Sequence, residues 1–174
     1  NYAALSLVND AQGAQFGYCQ SDEISILLTD FNDIQTQAWF DGNIQKICSI
    51  ASSIVTARFN ERAGSLKLNN LANFDCRVYT VPDRIEVMNN FIWRNKDCMR
   101  NSVSMVAQSK FSHKQLDGKN VRQQKEMLCA EGSDWDKTQD GFKFGRFVTR
   151  KMVDNAWDFA KDQERLLNFI PKYE

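Results

Sequence analysis

The sequence predicts an α+β protein, with an α/β core over residues 1–82 and a helical extension packed on it over 83–174. Three observations carry this. A strand–turn–strand pattern, GYCQSDEISILL, occupies Gly17–Leu28. A long apolar series at helical spacing follows it. A run rich in β-branched and aromatic residues, FDCRVYTV, comes next at Phe74–Val81.

Leu5, Leu7, Val8 and Ala11 mark a first helix over Asn1–Gly13, which Gly13 ends. Phe16–Leu28 reads as a strand pair broken at Gln20-Ser21-Asp22-Glu23. Its second arm, Ile24–Leu28, is apolar on both faces, as in a covered sheet. Asp30–Asp33 is a polar turn. Phe40, Ile44, Ile47, Ala51, Val55 and Phe59 then keep helical spacing for about five turns. Glu61–Asn73 is a polar loop, and Phe74–Val81 is a strand stopped by Pro82. Asp83 with Glu86 opens a helix through Ile85, Met88, Ile92 and Trp93. A second helical stretch runs through Val103, Val106 and Ala107. Ser112–Lys119 is polar, Arg122–Ala130 a short helix and Gly132–Gly145 a loop. Arg146–Met152 is a short basic strand, and the tail from Ala156 is helical until Pro171.

The 174 residues are 43% apolar and 25% charged, with a formal net charge of zero. This is ordinary for a globular domain, and any nucleic-acid surface must come from local clustering of charge. No apolar run approaches the ~20 residues that span a bilayer. The absence of a basic segment followed by an apolar one predicts no signal peptide. The five cysteines are scattered, without a CxxC, so reduced thiols and a cytoplasmic location are expected. The only histidine is His113, which leaves a Cys/His zinc site and a Ser-His-Asp triad poorly supported.

Asp22 and Glu23 are the residues with chemical promise. Phosphoryl and nucleotidyl transfer needs Mg²⁺ held beside the phosphates by one or two carboxylates, with water and phosphate oxygens completing the shell. A pair of such ions clamps the attacking and leaving oxygens. Two adjacent carboxylates on a turn fixed by buried strands suit that task. In most proteins, however, an Asp-Glu pair at a hairpin tip is only a solvated turn.

Five ordered segments change that weighting. GYCQSDEISILL resembles the catalytic hairpin of the tRNA-histidine guanylyltransferase family and its guanylyltransferase-like relatives, the 3′–5′ nucleotide polymerases. FDGNIQKICSIASSIVTARFN is similar to the family's helix with a phosphate-contacting lysine. ANFDCRVYTVP resembles its FD-x-R-V strand. FIWRNKDCMRNSVSMVAQ resembles its WRQ-x-D-x-x-x-N-N helix, and LDGKN with KEML a later helical segment. The likeness covers Asn1 to about Gly145.

The resemblance implies a ferredoxin-like polymerase palm, β-α-β-β-α-β, with a helical C-terminal extension. It implies two Mg²⁺ ions, GTP and ATP as substrates, and tRNA as partner. The expected activity is 3′–5′ addition of nucleotides to tRNA 5′ ends, as end repair or tRNA-His guanylylation. A homotetramer without membrane attachment is expected. Asp22 and Glu23 become the metal-binding, catalytic carboxylates. Ser21 and Lys46 become nucleotide contacts, although each also reads as a plain turn residue or a solvated lysine. Lys110, His113, Lys114 and Lys119, with Asn101, become tRNA contacts. The family's first metal aspartate lies in an Asp-Gly-Arg strand, expected upstream of Asn1 as the first palm strand; Asp41-Gly42 is not its equivalent. Met99-Arg100-Asn101-Ser102 stands where the eukaryotic enzymes have His-Ile-Asn-Asn, which favours the guanylyltransferase-like branch. Two other readings stay open: an RNA-binding palm without catalysis, and a nucleotide cyclase, against which the missing GG-(D/E)-(D/E)-F hairpin counts.

Overall fold

Alternating burial makes Ala14–Gln20 (β1) the strand around which the molecule is built. Phe16, Tyr18 and Gln20 are buried on one face, and Gly17 and Cys19 turn to the other. A computed structural model gives the arrangement and describes residues 1–67 and 70–172. Helix α1 (Tyr2–Asp10) precedes β1 and buries Ala3, Ala4, Leu7 and Val8. It lies so close to the sheet that a Cβ on Gly17 would come within 2.9 Å of Val8 Cγ2. Strand β2 (Glu23–Leu28) returns antiparallel, with Gln20 opposite Glu23 and Tyr18 opposite Ser25. A short 3₁₀ turn at Trp39–Gly42 leads into α2 (Ile44–Ser65). The Asn43 side chain caps α2 by accepting from the Lys46 backbone N–H. Ile47, Ala51 and Val55, four residues apart, form its buried stripe.

Asp83 caps α3 (Arg84–Lys110) by accepting from the N–H groups of Ile85 and Glu86. The short α4 (His113–Leu116) and α5 (Val121–Ala130) follow, then α6 (Asp140–Lys143). Strands β3 (Arg146–Val148) and β4 (Val153–Asn155) extend an antiparallel sheet of order β2-β1-β3-β4, and α7 (Gln163–Leu167) is the last helix among the described residues. On one face of the sheet α1 and α2 bury an aliphatic cluster around Val8, Ile47 and Val148. On the other, α3 and the C-terminal segment bury an aromatic cluster, in which Phe16 lies 4.7 Å from Phe91 and 4.9 Å from Phe147. A third cluster joins Val103 and Ala107 of α3 to Leu128 and Trp135.

The expected α+β palm class is what the chain adopts, and several boundaries move. The two helical stretches after Asp83 are one 27-residue helix, α3. Helix α2 starts at Ile44 and runs on to Ser65; of the polar loop expected over Glu61–Asn73, residues 68–69 lie outside the described residues. Phe74–Val81 is extended, and Phe74, Cys76 and Val78 turn inward while Asp75, Arg77 and Tyr79 face solvent. It joins no sheet among the described residues: a strand needs a ladder with a neighbouring backbone, and the order β2-β1-β3-β4 does not include it. The C-terminal region is less helical than expected. The strand expected at Arg146–Met152 is present as β3, β4 beside it is not among the expected elements, and within the tail helical structure is confined to α7 among the described residues.

Candidate active site

The buried strand β1 and the half-buried strand β2 hold the hairpin tip at Ser21 and Asp22. Ser21 adopts a left-handed backbone, φ 47°, as a two-residue hairpin turn requires at one or both positions. Both tip residues are exposed, and among the described residues Asp22 makes no hydrogen bond or ion pair. Glu23 differs. Its carboxylate forms an ion pair with Arg94 of α3 and accepts from Gln20 Nε2 at 2.8 Å. The Arg94 side chain is only 16% exposed, against 52% for Glu23. Gln20 is 4% exposed, and its Oε1 is buried without a partner among the described residues.

The tip stands between two clefts. The first, about 250 Å³, is lined by Tyr2, Ser21, Asp22, Phe59, Arg62 and Phe74. The second, about 310 Å³, is lined by Gln20, Ser21, Asn101, Met105, Phe142 and Arg146 among others. The structure thus brings Asn101 to the hairpin, with its Nδ2 donating to Asp97 Oδ2 at 3.0 Å. It does not bring Lys46 there. Lys46 and Arg62 lie at opposite ends of α2, about 24 Å apart at 1.5 Å per residue. Lys46 is exposed, with its Nζ 4.6 Å from the Phe40 ring centroid. Lys110, His113, Lys114 and Lys119 are all exposed around α4, and Lys110 lies about 14 Å along α3 from Asn101.

Sequence reasoning misses Arg62, Gln20 and Arg94. Arg62 falls in the stretch read as a loop; extending the helical series from Val55 to Ala63 would have kept it on α2. Gln20 and Arg94 stand inside the family-like motifs; Gln20 is only three positions from Glu23 across the turn, whereas the Arg94–Glu23 pair bridges 71 positions of sequence (94 − 23), which local patterns do not encode.

The other titratable groups do not make a second chemical centre. Burial pushes the Tyr18 phenol far up, and its hydroxyl donates to Phe144 O at 2.7 Å. Burial, with Cys48 beside it, pushes the Cys76 thiol up to about 11, and burial also raises Cys98. Such thiols stay protonated at neutral pH and are poor nucleophiles. All five cysteines are free. Among the described residues no group of three or more His, Cys, Asp or Glu side chains gathers as a metal cage, and no helix is long and apolar enough to cross a membrane.

A four-stranded antiparallel sheet layered between helices, with a carboxylate on an exposed hairpin, defines a polymerase-type palm. The family model described as Thg1, tRNAHis guanylyltransferase, matches residues 1–82. A bacterial tRNA(His) guanylyltransferase (Thg1)-like protein in complex with ATP superposes with a TM-score of 0.93 at 37% identity, covering 98% of this chain and 77% of that one. A bacterial Thg1-like protein in complex with GTP superposes at 0.81 with 33% identity, covering 98% and 75%. The tRNA(His) guanylyltransferase of Saccharomyces cerevisiae, 20% identical with a TM-score of 0.76 over 94% of this chain and 78% of that one, shares the fold. An uncharacterized protein of Acanthamoeba polyphaga mimivirus is 30% identical over 81% of this chain, which spans 57% of that protein's length. The chain belongs to the tRNA-His guanylyltransferase family.

Proposed function

We propose that this protein adds nucleotides in the 3′–5′ direction to tRNA 5′ ends, as a metal-dependent nucleotidyltransferase of the guanylyltransferase-like branch. The observation that carries the reading is Asp22: an exposed carboxylate, unpaired among the described residues, on a rigid hairpin tip beside a cleft that also holds the Arg62 cation. Relatives of the same fold in complex with ATP and with GTP support nucleoside triphosphates as substrates.

The donor set fits Mg²⁺ of the kind held by few protein ligands. Asp22 is a hard oxygen donor open to solvent, and water and phosphate oxygens complete such a shell. Bound there, the ion neutralises charge on the phosphates. Ser21 offers its hydroxyl at the same tip to a phosphate oxygen. A two-ion site takes another carboxylate, and the edge of β2 beside the unladdered Phe74–Val81 segment is where a strand carrying one would hydrogen-bond. Lys46, distant from Arg62, suits an RNA phosphate better than the triphosphate at Asp22. Lys110, Lys114 and Lys119, with His113, offer a cationic patch to tRNA phosphates. The same reading places the activity in the cytoplasm, in a homotetramer whose mass light scattering measures.

Incubation with Mg²⁺, labelled GTP or ATP, and a tRNA lacking its first nucleotide tests the reading. Label at the tRNA 5′ end is the expected result. Cyclised product from GTP alone, or tRNA binding without incorporation, refutes it.

A further inference from the structure

The hairpin carries two neighbouring carboxylates, and the structure separates them. Asp22 lines the cleft on the α2 side of the sheet, with Phe59 and Arg62. Glu23 is tied to α3 on the other side, through Arg94. We infer that Arg94 is a positioning residue: by holding Glu23 in an ion pair it fixes the hairpin tip, so that Asp22 alone presents its carboxylate to a metal–triphosphate complex. This rests on the function proposed above.

The guanidinium of Arg94 is largely removed from water, so it needs a counter-charge, and among the described residues Glu23 is the carboxylate it pairs with. Gln20 reinforces the pair. It sits opposite Glu23 in the ladder, is buried, and donates to the same Glu23 oxygen, Oε2. The cation also lies over the Trp93 ring, 4.8 Å from its centroid, which gives its plane a second restraint. Recruiting Glu23 to a metal on the Asp22 side would strip Arg94 of its counter-charge and break the Gln20 bond. A carboxylate already paired with a cation and hydrogen-bonded by Gln20 is a poorer ligand for a hydrated dication than an unpaired one. Asp22, with no partner among the described residues, carries no such penalty.

The test uses the full-length protein with Mn²⁺ as the probe, its binding in the presence of GTP followed by electron paramagnetic resonance, alongside steady-state 5′ addition. Glu23→Gln should keep Mn²⁺ affinity within about threefold of the parent, while Asp22→Asn loses at least about a hundredfold. Arg94→Met should lower kcat about tenfold or more with KM for GTP and Mn²⁺ affinity little changed, and Arg94→Lys should recover most of the loss. A Glu23→Gln/Arg94→Met double variant should be no slower than the worse single one. A loss of Mn²⁺ affinity in Glu23→Gln equal to that in Asp22→Asn overturns the inference, as does parental kcat in Arg94→Met. If Asp22→Asn binds Mn²⁺ normally, the metal reading of the tip fails instead. Thermal unfolding of the parent, the two single variants and the double variant then judges the ion pair separately: non-additive midpoints support it, and additive ones refute it.

Discussion

Asn95 is buried completely and reaches three separate parts of the fold. Its Oδ1 accepts from the Phe159 backbone N–H at 3.0 Å. Its Nδ2 donates to Phe144 O at 3.0 Å and to the Tyr18 hydroxyl at 3.3 Å. One amide thus ties α3 to β1, to the segment entering β3 and to the C-terminal chain. Asn95→Ala removes all three bonds. Phe144 O keeps the Tyr18 hydroxyl as donor at 2.7 Å, but the Phe159 N–H is left buried and unpaired. An orphaned buried donor costs about 1–3 kcal/mol, and the two lost Nδ2 bonds about 1 kcal/mol each, so about 3–5 kcal/mol is expected. For a chain of this length that is a fall in Tm of roughly 10 °C. Urea unfolding followed by circular dichroism measures the free-energy loss, and thermal unfolding measures the shift in Tm. Asn95→Asp supplies the sign check. The introduced carboxyl can still accept from Phe159 N–H, but it must keep a proton to donate to Phe144 O. Its folded pKa is therefore raised above the unfolded ~3.9, so its contribution to stability, relative to the parent, is fullest below that pH and is lost as pH rises through the folded value. A loss below about 1 kcal/mol in Asn95→Ala, or an Asn95→Asp variant whose deficit relative to the parent is smaller at pH 7 than at pH 4, refutes the linking role.

Gly17→Ala should cost about 1–3 kcal/mol, because the new methyl meets Val8 Cγ2 at 2.9 Å between two packed layers; an unchanged urea midpoint contradicts that. The Cys76 thiol, raised from 9.0 to about 11, favours its neutral form in the folded state. Its contribution is full below about pH 9 and is lost as pH rises towards 11, by about 1 kcal/mol once solvent screening is allowed for. Cys76→Ser should flatten that alkaline decline in urea midpoints between pH 8 and pH 10.5. Replacing Lys110, Lys114 and Lys119 together by Ala should weaken tRNA binding and lower its salt slope by about 0.7–0.9 for each phosphate no longer neutralised; an unchanged slope removes the patch from the RNA surface.

The hairpin, the core of α2 and the start of α3 were legible because their signals are local: alternation, helical spacing and a capping aspartate. Phe74–Val81 shows the limit. Its alternation does place Phe74, Cys76 and Val78 inward, as a strand's would, yet a ladder depends on a neighbour that no local pattern names. The tail misleads for a related reason. The tail from Ala156 reads as helical, but Trp157, Phe159 and Phe169 are drawn into the aromatic cluster around Phe147, and among the described residues the helix there is Gln163–Leu167. At the candidate site, the exposed place of Asp22 on the hairpin tip was legible from its turn and its motif. The different environment of Glu23 was not, since Arg94 reaches it across the fold from another element.

The most direct measurement is 5′-nucleotide addition by Asp22→Ala beside the parent protein, on a tRNA lacking its first nucleotide. Asp22 is exposed and, among the described residues, unpaired, so its loss leaves packing intact. The expected result is an unchanged unfolding midpoint with incorporation reduced by at least about a thousandfold. Incorporation at the parent rate in a folded Asp22→Ala protein would contradict the assignment of the hairpin tip as the centre of nucleotidyl transfer.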